Sequence, residues 1–159
     1  MSQASLHTVL ESRALIRLSG DDWRSYLQGL ITQDVETLAS GEARFGALLT
    51  PQGRLLYDLF IIGDGDGALL DVAAEHRAAI IQRLTMYRLR AKVEITPDER
   101  TVSALVGAPA EGFVADPRLP DLGWRGYGAD LVPNAVEAAY DAHRLALGVP
   151  APADWGSDK

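Results

Sequence analysis

Residues 46–62, Gly-Ala-Leu-Leu-Thr-Pro-Gln-Gly-Arg-Leu-Leu-Tyr-Asp-Leu-Phe-Ile-Ile, constrain the fold more than any other stretch. Two apolar runs flank Thr50-Pro51-Gln52-Gly53, whose Pro and Gly mark a turn. The runs are short and rich in Leu, Ile, Tyr and Phe, which predicts paired strands rather than a helix. Period-two alternation puts Leu56, Asp58, Phe60 and Ile62 on one face of the second strand. Leu55, Tyr57, Leu59 and Ile61 take the other. Both faces are apolar, so the strand is expected inside a sheet. Asp58 then sits on an apolar surface, where a carboxylate is costly unless something pairs with it or hydrogen-bonds to it.

The rest of the chain mixes hairpins with three helical segments. A strand is expected over 8–18, and Ser19-Gly20-Asp21-Asp22 then supplies N-cap oxygens and negative charge for a helix carrying Trp23, Leu27, Leu30 and Ile31 on one face. A strand over 42–49 leads into the turn. Gly63-Asp64-Gly65-Asp66-Gly67 has alternating aspartates, but Ala68 stands where a calcium loop needs its third ligand. A flexible hairpin loop is expected, with a returning strand over 68–73. A helix over 74–90 has Ile80, Leu84 and Tyr87 as its buried stripe and a basic bias from Arg77, Arg83, Arg88, Arg90 and Lys92. Strands follow over 92–96, where Pro97 stops the run, and over 101–106, 113–115 and 124–127. The last helix is punctuated by Pro133 near its start and by Gly148 and Pro150 at its end. It carries Val136, Tyr140, His143 and Leu147 on one face. Strands and helices do not alternate regularly, so the class is α+β: an antiparallel or mixed sheet with three packed helices.

Composition narrows the chemistry. The chain has 159 residues and no cysteine, so it supplies no disulfide, thiolate nucleophile or cysteine-ligated cluster. A formal net charge of −7 disfavours general binding to a phosphate backbone. No apolar run reaches the length of a membrane span, and no secretory signal opens the chain. These features predict a soluble, cytoplasmic protein without direct nucleic-acid or membrane partners. There is no P-loop, HExxH, GxSxG or dinucleotide fingerprint. His7, His76 and His143 are scattered, which predicts no metal site, and His143 reads as a core or rim residue.

A pocket-shaped set remains. Asp58 lies among Leu56, Phe60 and Ile62, and Tyr140 lies on an apolar helix face. A carboxylate among aromatic groups suits a flat heterocycle with adjacent N–H donors. The competing structural reading pairs Asp58 with an arginine such as Arg13 or Arg54, and pattern alone leaves both open. The basic helix reads first as a solvated face. Arg83 and Arg88 are its candidates for an anionic ligand tail.

Four runs resemble one known family in order and spacing, from about residue 7 to 150. Residues 26–35, YLQGLITQDV, resemble its "FLQGLxTxDV" helix, and 49–58, LTPQGRLLYD, its "LLTPQGRxLxD" turn and strand. Residues 87–93, YRLRAKV, resemble "YxLRxKV", and 144–150, RLALGVP, resemble "RIExGxP". The family is the YgfZ-type, folate-binding iron–sulfur-cluster maturation proteins, related to the aminomethyltransferase of the glycine cleavage system.

The resemblance implies a tetrahydrofolate-binding cavity in an α+β region spanning 1–150. It implies folate-type small molecules and iron–sulfur client or assembly proteins as partners, including a tRNA-modifying client. By matching positions, Asp58 faces the pterin and Tyr140 is an aromatic of the folate site. Arg13 takes a position open to another aromatic in this branch. With Phe60, Leu56 and Tyr87, these form the expected ligand-binding set, without a catalytic residue. Ala73 and Ala146 replace an asparagine and a glutamate of the transferase, which counts against aminomethyltransferase activity and leaves that activity, or a vestigial cavity, as alternatives. The family's Lys-Gly-Cys signature is expected downstream, so 151–159 is expected to be a loop leading to a further C-terminal part.

Overall fold

The computed structural model describes residues 6–149. Two antiparallel sheets stack on each other. The first has the order β3 (Ala43–Leu49), β4 (Leu55–Asp64), β5 (Gly67–Ala73), β2 (Arg13–Ser19) and β6 (Glu94–Asp98). The second has the order β1 (Leu6–Val9), β7 (Val102–Val106), β9 (Trp124–Tyr127) and β8 (Phe113–Ala115). The three helices are α1 (Trp23–Gln28), α2 (Arg77–Arg88) and α3 (Glu137–Ala146). The α+β expectation is met.

β4 lies between β3 and β5, and its two faces separate as the alternation requires. Leu59 and Ile61 join Ile16, Leu18 and Leu70 under α1 and α2, where Trp23, Leu27, Ile80 and Leu84 are buried. Phe60 and Ile62 join Leu15, Leu69, Val102, Ala104 and Tyr140 between the two sheets. The five-stranded sheet therefore has a helix side and a sheet side, and Asp58 belongs to the sheet side. At the 50–53 turn, Gly53 at φ 85 donates to the Thr50 carbonyl, a conformation that side chains resist.

Several boundaries differ from the sequence reading. The expected strand over 8–18 is two strands, and the turn at Glu11 and Ser12 carries the chain from one sheet to the other. Glu137 of α3 holds that turn by accepting from the Ser12 amide and hydroxyl. Asp22 is not a side-chain cap: its carboxylate accepts from the Lys92 amide at 2.8 Å. α1 stops at Gln28 because its side chains hold a loop instead. Gln28 accepts from the Val35 and Glu36 amides, and Arg24 donates to the carbonyls of Val35 and Leu38.

The 74–90 helix opens with a 3-10 turn over Ala74–His76, and Tyr87 is exposed rather than buried. Pro97 lies inside β6, where an edge strand tolerates its missing N–H. Pro133 precedes α3 rather than opening it, and Val136 is its exposed N-cap. The hairpin at 63–67 is tight rather than loose, with Asp64 and Asp66 both paired to Arg17. Among the described residues no acidic or histidine cluster is arranged for a metal ion. The expected loop at 151–159 lies outside the described residues.

Candidate ligand-binding site

The site opens between the sheets at the β3–β4 end. An inner recess of about 50 Å³ is lined by Arg13, Phe45, Asp58, Phe60, Arg118 and Tyr140, among others. Phe45, Asp58 and Arg118 continue into an outer cleft of about 460 Å³, a size in the range of small-ligand sites. β3 and β4 place the floor: Phe45 pairs with Phe60 across the strands, and their rings tilt together at 4.9 Å. Arg118, from the segment before β9, supplies a wall. Its guanidinium lies 4.7 Å from the Phe60 ring centre, grips the Asp116 carboxylate with two nitrogens, and donates to the Tyr140 hydroxyl at 2.8 Å. α3 brings Tyr140, Asp141 and Arg144 to the same opening.

Asp58 is half-buried and pairs through its backbone with Ala47. Among the described residues, no side-chain hydrogen bond or ion pair reaches its carboxylate. Burial pushes that carboxyl above its ordinary value. The nearby charges of Arg13, Arg118 and Arg125 pull against this shift, and Asp71 adds to it. The carboxylate thus faces the opening in a field of three cations, with its acceptor positions free.

Arg13 does not pair with Asp58. It donates from Nε to Asp71 Oδ1 at 2.8 Å and from Nη2 to the Asp71 carbonyl. Asp71 is the buried ionic centre of the fold, bound also by Arg125 and Tyr127. Burial alone raises its carboxyl, but Arg125 and Arg13 overcome that and hold it below the ordinary range. Burial also works against Arg125's charge, yet Asp71 holds that guanidinium well above its ordinary value. Burial and the adjacent Asp71 together keep the Tyr127 hydroxyl protonated far above its ordinary range.

Of the residues singled out in the sequence, Asp58, Phe60, Arg13 and Tyr140 meet in the recess. Leu56 is exposed outside it. Tyr87 lies on the helix side of the sheet, beside Leu30, Pro51 and Arg83. Arg83 and Arg88 are on that side too, so they are not placed to hold the tail of a ligand bound at Asp58. The sequence reading missed Phe45, Arg118, Arg125 and Asp71. Asp71 carried a usable signal, since it is a carboxylate within the apolar run 68–73 just as Asp58 is in 55–62. Arg118 and Arg125 lie in the Gly- and Pro-rich stretch, where no periodicity marks them. His143 is a rim residue, bonded to the Asp121 carbonyl at 2.8 Å.

This arrangement of sheets and helices is the fold of a glycine-cleavage-type aminomethyltransferase. The glycine cleavage system aminomethyltransferase T from Bartonella henselae superposes with a TM-score of 0.59 over 65% of this chain and 29% of its own, at 20% identity. No family model matches the chain. Curated relatives are more informative. An iron–sulfur cluster assembly factor IBA57 homolog, mitochondrial, from Pyricularia oryzae is 38% identical over 74% of this chain and 34% of its own length. The human IBA57 is 29% identical over 89% and 50%. A tRNA-modifying protein YgfZ from Vibrio vulnificus is 33% identical over 68% and 33%. The chain belongs to this IBA57 and YgfZ family, and it spans between a third and a half of these relatives' lengths. The expected cytoplasmic location is overturned, because the IBA57 relatives from three fungi and from human are all named mitochondrial.

Proposed function

We propose that this chain is the folate-binding part of an iron–sulfur cluster assembly protein, with tetrahydrofolate held between the sheets at Asp58. The observation that carries this reading is the free Asp58 carboxylate beside Phe45 and Phe60. A pterin presents neighbouring N–H groups on a flat ring, and one carboxylate accepts two such bonds. The ring edge enters the recess against Phe60 and Tyr140, while the rest of the molecule occupies the outer cleft. Arg13 and Arg118 stay engaged with Asp71 and Asp116, so they shape the electrostatics without neutralising Asp58.

The same site supports assembly work rather than C1 transfer. Ala73 and Ala146 offer no polar group at the two transferase positions, and Ala146 is exposed. The relatives' names support iron–sulfur assembly proteins as partners and tRNA modification as a downstream process. Calorimetric titration with tetrahydrofolate under reducing conditions tests the reading. Binding by the wild type that weakens tenfold or more in Asp58→Asn and is kept in Tyr87→Phe supports it. Absence of binding by the wild type overturns it.

A further inference from the structure

The chain has 15 basic residues against 22 acidic ones, and most of its described arginines are tied to carboxylates. Arg54, Arg83, Arg88, Arg90 and Lys92 are not. Arg24, the other described exception, is occupied by the carbonyls of Val35 and Leu38. Arg83 only covers the Tyr87 ring at 5.2 Å, and Arg88 reaches only the Val93 carbonyl. Arg54 follows the β3–β4 turn and Arg83 walls the groove beside it, while Arg88 and Lys92 line a second cleft with Asp21 and Glu94 at the end of α2.

The apolar exposure gathers in the same place. Leu89 is 86% exposed, Leu55 69%, Met86 59% and Tyr87 40%. Between the turn and α2 runs a groove of about 260 Å³ walled by Leu30, Leu48, Leu49, Pro51, Leu84 and Tyr87. Leu89 is also the one described non-glycine residue at positive φ, at φ 52 and ψ −115. A side chain resists that backbone, and here no burial compensates it. Strain, exposed apolar groups and unpaired cations thus coincide on the helix side of the five-stranded sheet, away from Asp58.

We propose that this face docks an acidic, apolar polypeptide segment of a partner protein. An apolar side chain of the segment enters the groove between Pro51 and Tyr87. Its flanking carboxylates meet Arg54 and Arg83 beside the groove, and Arg88 and Arg90 at the end of α2, cations that pair with no carboxylate among the described residues. A concave apolar groove accepts a side chain, whereas a flat bilayer cannot enter it. The net charge of −7 repels a long polyanion such as RNA at distance, while a short segment brings few charges and gains the local basic rim.

The test is selection from a displayed library of random short peptides, with wild-type protein and with Arg83→Glu/Arg90→Glu as bait. The expected outcome is enrichment of peptides in which Asp or Glu flanks Leu or Phe, binding the wild type about tenfold or more tightly than the double variant. Their affinity should fall with added salt. Arg54→Glu, on the opposite rim and exposed, should weaken the same peptides independently. Asp58→Asn should leave them unchanged, which separates this proposal from the folate reading. The proposal is overturned by no enrichment, by basic or charge-independent peptides, or by equal binding to wild type and double variant. It is also overturned if unfractionated tRNA or phosphatidylserine vesicles bind this face and displace the selected peptides.

Discussion

Arg125 on β9 donates from Nε and Nη2 to a single oxygen of Asp71 on β5, at 2.9 and 2.6 Å. The side chains are 2% and 0% exposed. The pair bridges the two sheets, and Tyr127 donates to the same oxygen while Arg13 takes the other. Asp71 therefore satisfies the two cations that Asp58 would otherwise attract. That division of labour leaves Asp58 open to a ligand.

Asp71→Asn should be strongly destabilising. It strands two buried or nearly buried guanidiniums, and breaking one side of such a network costs about 3–5 kcal/mol. Urea unfolding at neutral pH measures it. The pH dependence follows from the depressed carboxyl. The stabilisation is present above the unfolded-state value of about 3.9 and disappears as pH falls through the lower folded value. The wild type should lose stability over that acidic window, and Asp71→Asn should show a shallower loss there.

Tyr140→Phe separates packing from polarity. The ring stays buried between the sheets, and only the hydroxyl that accepts from Arg118 is lost. Arg118 keeps both bonds to Asp116, so the cost should be about 0.5–1.5 kcal/mol in denaturant unfolding. A larger loss would mean that Tyr140, rather than Asp116, fixes Arg118 over Phe60.

Local rules account for the parts that were legible in the sequence. The faces of β4 follow from strict alternation, and the 50–53 turn from its Pro and Gly. Asp58, Phe60 and Tyr140 come together because the alternation of β4 and the apolar face of α3 both point between the sheets, and Arg13 joins them from the start of β2. The boundaries that moved are set by distant partners. Nothing near Glu11 marks the change of sheet, which Glu137 holds from the far end of the chain. α1 ends early because Gln28 and Arg24 bind the following loop. Arg118 and Arg125 find their carboxylates through tertiary contacts that no local pattern encodes. Asp71 was open to the argument used for Asp58. The two differ in their cation supply, which only the stacking of the sheets decides.

Leu89→Gly should raise stability. The residue is exposed, so truncation removes almost no burial, and glycine adopts positive φ without a Cβ clash. Relief of about 1–3 kcal/mol exceeds the added flexibility of the unfolded chain, about 0.4–1 kcal/mol. A net gain of about 1 kcal/mol is expected in urea unfolding. No gain would remove strain from the case for the α2 face.

Asp58→Asn carries the folate reading, and its stability and binding effects should have opposite signs. The folded carboxyl is raised by burial, with no bonded cation to offset it. A group of that kind favours folding below its unfolded value, about 3.9, and loses that contribution as pH rises through the folded value. At neutral pH the wild type holds an under-compensated charge, so Asp58→Asn should melt at the same or a higher temperature. The advantage of the variant should shrink as pH falls into the acidic range. Tetrahydrofolate affinity should move the other way, weakening by about 1.5–3 kcal/mol, the scale of a hydrogen bond to a charged group. The asparagine also turns N–H donors toward the donors of the pterin. Thermal unfolding of both proteins across pH, with and without tetrahydrofolate, reads all of these quantities. A variant that melts far below the wild type without ligand would mean that Asp58 is half of a structural ion pair, and the open-carboxylate account of the cavity would fall.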